Sequence, residues 1–305
     1  MATPMTSALF KSIVSPILNT EFDGVYDQRE DEWKGPFKEI TGIARSYHEE
    51  PFLYGFGAAP ELPDGAPVTY QSGGELFRKR YQYKVYGLAF ALTQILVEDG
   101  DHIAIGQIYS RHLAQSLVET KETLCANVFN RSFNSSYAGG DGVSLISAAH
   151  PLATGGYWSN QLASSAALSQ TSVEQMLTQI RNSVDANGKK INLKPRALVV
   201  APANELQAEV ILNSILRSST GNNDLNPIKS KNLLPEGAYT VSRLTSPTAW
   251  WIITNAPEGN KVVVRRQVKR SMEGDFETDS MKYKATSRYA VGNSDPRADF
   301  GTPGL

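Results

Sequence analysis

Hydrophobicity alternates with a period of two from Leu76 to Lys84, which predicts a β-strand. One face of this strand is apolar and mainly aromatic, and the other is polar and mostly cationic. The apolar face comprises Phe77, Tyr81, Tyr83 and Val85, and the polar face comprises Arg78, Arg80, Gln82 and Lys84. At Gly87 the apolar set changes phase, so a β-bulge is predicted there.

A turn signal at Pro63-Asp64-Gly65 precedes this strand. Residues 54–87 are therefore predicted to form a long hairpin-like loop. An isolated hairpin is marginally stable and exposes unpaired edges, so this one is expected to pack against another surface.

Helical spacing of apolar residues predicts one long helix from about residue 101 to residue 131. Its apolar stripe consists of Ile105, Tyr109, Leu113, Leu117, Leu124 and Val128. Asp99 and Asp101 lie where N-cap residues belong. About 30 residues at 1.5 Å each give a rod of roughly 45 Å, whereas the average helix has only ~11–12 residues. A helix of this length is expected to be an architectural member of the fold.

Shorter elements follow in the second half of the chain, after residues 132–170, which are rich in Ser, Gly, Asn and Ala and are predicted to be irregular. They are a helix opened by a Thr171/Glu174 capping box and ending near Asp185, a strand at Arg196–Ala201, a helix from Pro202 to about Arg217, a strand pair at Ala238–Arg243 and Ala249–Thr254, and two alternating segments at 261–269 and 283–291. Trp250 and Trp251 are expected to be one core and one boundary residue. The predicted fold class is α+β.

Proline is concentrated near the N-terminus: seven of the sixteen prolines lie in residues 1–67, and none lies in residues 68–149. Because proline breaks helices and central strands, the N-terminal part is predicted to be an extended or irregular arm.

Charge is also unevenly distributed. Residues 21–39 contain seven acidic and three basic side chains (net −4), and residues 261–297 contain nine basic and five acidic ones (net +4). The simplest interpretation is a solvated face. The alternative is that the unlike patches meet between copies of the chain, in a heterologous contact that repeats into rings.

The composition is that of an ordinary globular chain of 305 residues, with 41% hydrophobic and 20% charged residues and a net charge of −1. This balance argues against a protein that coats nucleic acid stoichiometrically, but not against proximity to nucleic acid. Cys125 is the single cysteine, which excludes an intrachain disulfide and a cysteine-built zinc site. The first residues lack a basic n-region, and the longest apolar run, Val85–Val97, is shorter than the ~20 residues of a membrane span. A soluble intracellular protein is expected.

Candidate catalytic and metal-ligating residues are sparse. His102 and His112 lie ten residues apart, about 15 Å of helical rise, and cannot ligate one metal. His48 and His150 are expected to be surface or hydrogen-bonded packing residues, since no zinc-binding spacing surrounds them. Cys125 is expected to be a buried, inert thiol. No metal site, cofactor or enzymatic activity is predicted.

The run from Lys282 to Arg297, K-Y-K-A-T-S-R-Y-A-V-G-N-S-D-P-R, with F-G-T-P-G after it, resembles the end of tailed-phage major capsid proteins, more specifically the Mu-like major head subunit group. Other stretches agree in the same order: V-Y-G-L-A-F-A-L-T at 85–93, A-H-P-L at 149–152, W-S-N-Q-L-A at 158–163, P-R-A-L-V-V-A-P at 195–202 and N-L-L-P-E-G-A-Y at 232–239. The resemblance covers most of the chain, and its specificity comes from the ordered set rather than from any single stretch.

The resemblance implies the Hong Kong 97-type capsid fold, with an N-terminal arm, an extended loop, a peripheral domain with a long spine helix, and an axial domain. The corresponding segments would be the arm at 1–46, the extended loop at 47–87, the peripheral domain at 88–134 and 255–305 with the spine helix at about 101–131, and the axial domain at 135–254. A projecting hairpin could then lie across an adjacent subunit, and a proline-rich arm could join neighbours together.

The function implied by the resemblance is that of a major capsid protein, which self-assembles into hexamers and pentamers of an icosahedral shell enclosing phage double-stranded DNA. The DNA would be enclosed without sequence-specific binding, and the protein would belong to the virion capsid after assembly in the host cytoplasm, without a membrane. No long charged helical segment precedes the arm, so a separate scaffolding protein is expected, together with a portal. A decoration protein is left open, and no motif supports covalent cross-links between subunits.

The candidate contacts between subunits are charged residues of the arm, the loop and the C-terminal segment. They are Glu30, Asp31, Glu32, Arg78, Arg80, Lys84, Arg265 and Arg266.

Three other functions compete with this hypothesis. An encapsulin-like cellular compartment would share the fold but enclose protein cargo. A hydrolase would need a pocket that brings His48 or His150 near a serine and a carboxylate. A tail-tube subunit would be smaller and would lack the long helix.

Reversing Arg78, Arg80 and Lys84 together to Glu is expected to block shell formation, because these cations would no longer meet carboxylates on a neighbouring copy. Electron microscopy and sedimentation of the variant should find soluble subunits. Normal particles from this variant would contradict the assignment.

Overall fold

The computed structural model describes residues 7–27, 31–42, 45–65, 67–93, 95–96, 102–217, 224–275 and 280–305. Its helices are α1 (Ser7–Tyr26), α2 (His102–Asn130), α3 (Gln170–Arg181), α4 (Glu205–Asn213) and a short one at Pro227–Ser230. Its strands are β1 (Lys38–Ile40), β2 (Tyr47–Tyr54), β3 (Gly74–Gln82), β4 (Lys84–Leu92), β5 (His150–Pro151), β6 (Tyr157–Trp158), β7 (Pro195–Val200), β8 (Ala238–Thr240), β9 (Trp250–Thr254), β10 (Asn260–Asp275), β11 (Ser280–Asn293) and β12 (Asp299–Thr302). The predicted α+β class is confirmed.

Two four-stranded sheets organise these elements. The peripheral sheet has the order β1-β10-β11-β4, and the axial sheet has the order β12-β9-β7-β8. The antiparallel pair of β10 and β11 is the longest, extending from Asn260↔Asn293 to Asp275↔Ser280. After β11 the chain crosses to the axial sheet, where β12 pairs antiparallel with β9. The C-terminal segment therefore ties the two sheets together.

The predicted long helix is confirmed as α2, which has 29 residues. Leu113 and Leu117 are buried as predicted, whereas Tyr109 is half exposed. The other buried positions of α2 are Gly106, Ser110, Ala114, Val118, Glu122, Cys125, Ala126 and Phe129. The buried stripe is therefore displaced from the predicted one, because two different layers of the protein cover the two halves of the helix. The proposed N-caps, Asp99 and Asp101, lie outside the described residues.

The alternation of the predicted strand is confirmed as far as Tyr83, but the predicted bulge at Gly87 is wrong. The phase changes where β3 ends and β4 begins, because β3 pairs with β2 and β4 pairs with β11. Strand β4 pairs with β11 without a register shift. Val85, predicted to lie on the apolar face of the strand, is exposed to solvent. A Cβ atom at Gly87 would lie 2.6 Å from the Cγ2 atom of Thr286 on the neighbouring strand. The glycine therefore permits close approach of the two strands.

The expectation of an irregular N-terminal arm is wrong for residues 7–26, which form α1 with Pro16 inside the helix. Val14, Leu18 and Phe22, spaced four residues apart, are buried against α2 and the peripheral sheet. The Ser110 hydroxyl of α2 also donates to the Leu18 carbonyl at 2.7 Å. A proline inside a helix costs about 3 kcal/mol, but each buried large side chain stabilises the fold by about 1.5–3 kcal/mol. Burial of three such side chains outweighs the proline.

The axial sheet contains the predicted strands in a different arrangement. Strands β8 and β9 do not pair with each other, because β7 lies between them, parallel to β8 and antiparallel to β9. Trp250 and Trp251 are both buried, so the expectation of one boundary tryptophan is wrong. Trp250 packs with α3 and α4, and Trp251 lies on the other face of the sheet, 5.4 Å from the ring centroid of Phe129. The sheet is buried on both faces.

The part of the chain between residues 135 and 254, called the axial segment below, contains helices whose boundaries differ from those predicted. Helix α3 is capped by Ser169 and Ser172 rather than by Thr171 and Glu174. The Ser169 hydroxyl accepts from the Ser172 amide at 3.2 Å, and the Ser172 hydroxyl accepts from the Ser169 amide at 2.9 Å. A serine thus replaces the usual glutamate of a capping box. The helix after β7 starts as a 3-10 turn at Pro202–Asn204 and ends at Asn213 instead of near Arg217.

Leu18→Ala is expected to lower the free energy of unfolding of the subunit by about 2–5 kcal/mol, because it leaves a cavity between α1 and α2. Urea denaturation of unassembled subunits measures this change. Thr20→Ala, on the exposed side of the same helix, is the control and should change stability by no more than about 0.5 kcal/mol. Equal losses in the two variants would contradict the packing of α1.

Candidate subunit interface

A hairpin is present as predicted, but its limits differ from the predicted 54–87. It is formed by β2 and β3, which belong to neither large sheet, and it ends at Gln82 because β4 pairs with β11. The strands pair from Tyr47↔Gln82 to Tyr54↔Gly74, and Phe52 stacks on Phe77 with ring centroids 4.8 Å apart. The described residues between the two strands, 55–65 and 67–73, form the hairpin tip. Large apolar side chains are exposed on this element. They are Leu53, Phe56, Leu62, Val68 and Tyr70.

The start of the tip rests on the axial segment of the same chain. The Asn187 amide donates to the Gly55 carbonyl at 2.8 Å, and the Lys189 ammonium donates to the Phe56 carbonyl at 2.5 Å. These bonds hold the backbone of the tip, while the Phe56 side chain stays exposed. The far end of the hairpin is therefore positioned without covering its apolar surface.

The root of the hairpin, where β2 starts at Tyr47 and β3 ends at Gln82, is held by a buried ion pair. Lys261 of β10 is 2% exposed and pairs with Glu50 of β2 and with Glu258. Burial alone would raise the pKa of Glu50, but hydrogen bonds from Lys261, Ser294 and His48 outweigh burial and hold that pKa below its usual range. Breaking a buried pair by removing one partner typically costs about 3–5 kcal/mol. The root is accordingly a rigid attachment point.

Two of the three predicted loop cations pair within their own hairpin. Arg78 donates to both carboxylate oxygens of Glu75, at 2.9 and 2.8 Å. Arg80 lies 3.5 Å from a Glu49 oxygen and over the ring of Tyr47. Lys84 is exposed, and no carboxylate of the described residues lies within the 4.0 Å of an ion pair. Lys84 is therefore the loop cation left for a partner, and reversing it alone is a cleaner test than reversing all three.

The acidic arm meets partners within the chain. Asp31 pairs with Lys34 at 2.8 Å. Glu32 accepts from the Ser242 amide at 2.9 Å and from Arg243 at 3.0 Å. Glu30 lies outside the described residues. The arm therefore uses part of its charge to attach itself to the loop after β8.

A second layer of acids surrounds the same arginine. Arg243 donates twice to Glu119 of α2, at 2.7 and 2.6 Å. Glu122, one turn further along α2, is 3% exposed. Burial raises the pKa of Glu122 to about 7, with Glu32 and Asp31 acting in the same direction and Arg243 opposing them. The arm, α2 and the axial segment meet at this carboxyl group.

Arg265 and Arg266 lie where β10 departs from regular pairing with β11. Arg266 donates to the Thr286 hydroxyl at 3.0 Å. Burial raises the pKa of Tyr83, and the positive charges of Arg265 and Arg288 oppose this rise. Within the described ranges neither Arg265 nor Arg266 has a carboxylate at ion-pair distance. Both cations are free to meet an acidic partner.

An apolar surface that was not predicted from the sequence lies on α4 and the residues that follow it. Helix α4 exposes Leu206 (81%) and Val210 (48%) on one side, while Ala208 and Ile211 are buried on the other. The exposed large apolar side chains after the helix are Ile215, Leu216 and Leu225. The exposed pair follows the four-residue spacing of a helix face, which was the available signal.

The histidines do not assemble a nucleophilic site in the described structure. His48 lies 2.7 Å from Glu50, and the Ser294 hydroxyl contacts this same carboxylate rather than the imidazole. A serine nucleophile requires the opposite order, with the imidazole next to the hydroxyl. Cys125 is buried as predicted, and burial raises the pKa of its thiol.

His150 belongs to a buried network. Its Nδ1 lies 2.6 Å from Asp141 and its Nε2 lies 3.1 Å from the side-chain oxygen of Asn160. Asn160 accepts from the Ser147 amide and donates to the carbonyls of Leu145, Pro296 and Asp299 at 2.8–3.0 Å. This single asparagine ties an irregular segment to the C-terminal crossover. Sequence reasoning missed it because an isolated Asn in a Ser-rich stretch carries no periodic signal.

Within the described ranges, no group of three or more His, Cys, Asp or Glu residues could hold a metal ion. None of the helices there has the length and apolarity required to cross a bilayer.

A family model described as phage capsid protein matches residues 78–298. These are 221 of the 305 residues (298 − 78 + 1), and they include the long helix and three strands of each four-stranded sheet. The chain belongs to the phage capsid protein family. It is a major capsid protein, whose copies form an icosahedral shell, and its role is structural rather than enzymatic, as predicted from the sequence. No curated protein matches the chain.

Solved capsid structures resemble most of the chain. The virus-like particle from Pyrococcus furiosus has a TM-score of 0.53 at 13% identity, covering 94% of this chain and 98% of that one. The capsid of the native GTA particle has a TM-score of 0.57 at 12% identity, covering 90% of each chain. The capsid of cyanophage P-SCSP1u has a TM-score of 0.54 at 10% identity, covering 90% of this chain and 88% of that one. At these identities the similarity concerns the fold, and the predicted Hong Kong 97-type fold is confirmed.

Subunit stability is expected to fall as the pH rises from about 4.5 to about 7. The folded-state pKa of Glu122 is raised to about 7 from its ordinary 4.5, so the folded subunit keeps a proton that the unfolded chain has lost in this window. The contribution is on the order of 2 kcal/mol, fully present below pH 4.5 and absent above pH 7. Burial raises the pKa of Asp299 to about 7 as well, so that group adds a loss of the same sign.

Glu122→Gln is expected to reduce this pH dependence, because an amide does not titrate, and to leave the part due to Asp299. Urea denaturation at pH 4.5, 6 and 8 measures it. The exposed residue Glu273 provides the control variant, Glu273→Gln, whose pH profile should follow the wild type. An unchanged profile for Glu122→Gln would contradict the assignment.

Proposed function

We propose that copies of this chain close into hexamers and pentamers around their axial segments and that these rings tile a shell around phage double-stranded DNA. The observation that carries the proposal is the exposed apolar surface of the hairpin, where Tyr70 is 96% exposed and Val68 65% exposed. Contiguous exposed apolar surface of this kind marks interaction sites. A hairpin joined to the body at its root and resting on it by two hydrogen bonds is suited to lie across the next subunit.

The axial segments would meet at the centre of each ring. Leu206 and Val210 of α4 are exposed on one side of the helix, and Ile215 and Leu216, which follow the helix, are exposed as well. A contact that joins this face to a different surface of the next copy is heterologous, and heterologous contacts close into rings when the rotation permits. We place the ring contacts of the axial segment at this face.

The domain boundaries would follow the sequence prediction, with the arm at 1–46, the extended loop at 47–87, the peripheral domain at 88–134 and 255–305, and the axial domain at 135–254. Two strands cross these boundaries, because β4 starts at Lys84 and pairs with β11, and β12 pairs with β9 of the axial sheet. Each subunit would contact several neighbours through these parts. Individually modest contacts then suffice, because a subunit bound at several points dissociates rarely.

A scaffolding protein and a portal are the expected partners, and assembly would take place in the host cytoplasm. The net charge of −1 suits a container that is filled with DNA by a motor better than a protein that condenses DNA itself. An encapsulin-like compartment is the second candidate, and it would enclose protein rather than DNA.

Negative-stain electron microscopy of the protein, expressed with and without its neighbouring genes, tests the proposal. Closed particles of uniform diameter with DNA inside are expected, whereas closed particles containing protein cargo would favour the compartment. A protein that stays monomeric with every neighbouring gene present would contradict both.

Leu206→Asp combined with Val210→Asp is expected to abolish closed particles and to leave the melting temperature of the subunit within a few degrees, because both side chains are exposed. Gln207→Asp, between them on the same helix and also exposed, is the matched control and should assemble normally. Normal particles from the double variant would exclude this face from the ring contacts.

A further inference from the structure

A cleft of about 440 Å³ lies at the root of the hairpin, between the C-terminal half of α2 and the peripheral sheet. The ends of β3 and β4 and the last residues of β11 form its other walls. Its apolar lining comes from Tyr86, Leu124, Val128 and Leu145. A volume of this size is within the usual ~300–1,000 Å³ of binding clefts. The cleft can therefore accept several side chains of another molecule.

The charges along this cleft are all positive. Lys79, Arg80, Lys84 and Arg131 line it, and none of its lining residues is acidic. Arg80 is engaged by Glu49, but the other three cations have no carboxylate within ion-pair distance among the described residues. Burial lowers the pKa of Lys79, which shows that its charge is partly desolvated. An anionic partner would restore the interactions that these cations lack.

Two buried polar atoms in the cleft wall lack partners in the isolated subunit. They are the hydroxyl of Tyr289, a residue that is 3% exposed, and the side-chain oxygen of Asn293. Buried polar atoms without a hydrogen bond are rare in native proteins and require an explanation. Burial also raises the pKa of Tyr289, so its hydroxyl remains a neutral hydrogen-bond donor. The wall of the cleft is therefore incompletely hydrogen-bonded in the isolated subunit.

The hairpin tip has the complementary chemistry. Glu61 and Asp64 lie three residues apart at its exposed end, and neither carboxylate is within ion-pair distance of a cation in the described structure. Leu62, between them, and Tyr70 are exposed and match the apolar lining of the cleft. Strand β2 alone spans about 25 Å from root to tip. The tip is therefore remote from the cleft of its own chain and is available to the cleft of another.

We propose that the root cleft of one copy receives Glu61 and Asp64 from the hairpin tip of the next copy, with Lys79, Lys84 and Arg131 as the cations that recognise them. The proposal rests on the proposed ring assembly and specifies the partner surface of the hairpin. Root and tip are different surfaces, so the contact is heterologous and each copy both gives a tip and receives one. The pairing of charges would also set the register of the hairpin on its neighbour.

Disulfide trapping tests this contact without removing any of the charges. Leu62→Cys places a thiol in the tip, and Gln82→Cys places one in the cleft, at an exposed lining position. Cys125, the natural cysteine, is buried and serves as the unreactive background. When the two single variants are assembled together and oxidised, a disulfide-linked dimer is expected on a non-reducing gel. The variant with both substitutions in one chain should give a ladder that ends at the ring size.

Charge reversal provides the second readout. Lys79→Glu, Lys84→Glu and Arg131→Glu together, added to the Gln82→Cys protein, are expected to reduce the linked dimer about tenfold or more, because like charges would meet. Glu61→Lys with Asp64→Lys in the Leu62→Cys protein should restore the linkage. Lys231→Glu, at an exposed position away from the cleft, is the matched control and should leave the linkage unchanged.

Recovery by the swapped charges excludes misfolding as the cause of the loss. Shells that form without any linkage between Leu62→Cys and Gln82→Cys would overturn this contact and leave the shell function intact. A wild-type protein that never assembles would overturn the ring assembly and this contact together.

Discussion

The structure depends on covering one long helix along its whole length. Helix α2 has 29 residues, and its buried side chains face two different layers. Leu113 and Leu117 pack against α1 and the peripheral sheet, whereas Cys125 and Phe129 pack against Trp251 of the axial sheet. An isolated helix has little stability in water, so these layers hold it in place. In return, the helix fixes the two sheets relative to each other, and the positions of the hairpin and the arm depend on that arrangement.

Charged groups are used differently inside the subunit and on its surface. Lys261 and Glu50 lock the root of the hairpin from within, and Arg243 joins the arm to α2 and the axial segment through Glu32 and Glu119. These pairs are partly or fully buried, where loss of one partner is costly. Around the root of the hairpin, Lys79, Lys84 and Arg131 have no ion-pair partner among the residues that the structure describes. Paired charges inside and unpaired charges outside are expected of a subunit that must be rigid by itself and must bind other copies of the chain.

The exposed apolar surfaces lie on separate elements of the subunit. The hairpin tip carries one, and α4 with the residues after it carries another. A shell subunit meets several neighbours at once, and each contact adds to the retention of the others. Weak individual contacts also allow a misplaced subunit to leave before a ring closes. The geometry therefore agrees with a container built from many equal parts rather than with a stable dimer.

Local periodicity along the sequence determined the long helix, the strands from residue 74 to 92 and the buried strand β7, because each follows from the spacing of apolar side chains alone. The order of the resembling segments determined the family. Only the tertiary structure decided that residues 7–26 are helical in spite of Pro16, because the compensating burial comes from α2 and the peripheral sheet, more than 85 residues away. It also decided that β7 separates β8 from β9 and that both tryptophans are buried, since those outcomes depend on which layers cover each face.

The candidate interface shows the same division. The sequence indicated the cations of the loop and the acids of the arm, but it could not show which of them pair within the chain. Arg78, Arg80 and Glu32 find partners inside the subunit, whereas Lys84 has no carboxylate at ion-pair distance in the part of the chain that the structure describes. An ion pair forms between side chains that the fold brings within a few ångströms, and sequence separation does not predict that distance. The sequence alone determined which charges are present, and the tertiary structure decided which of them remain free for another copy.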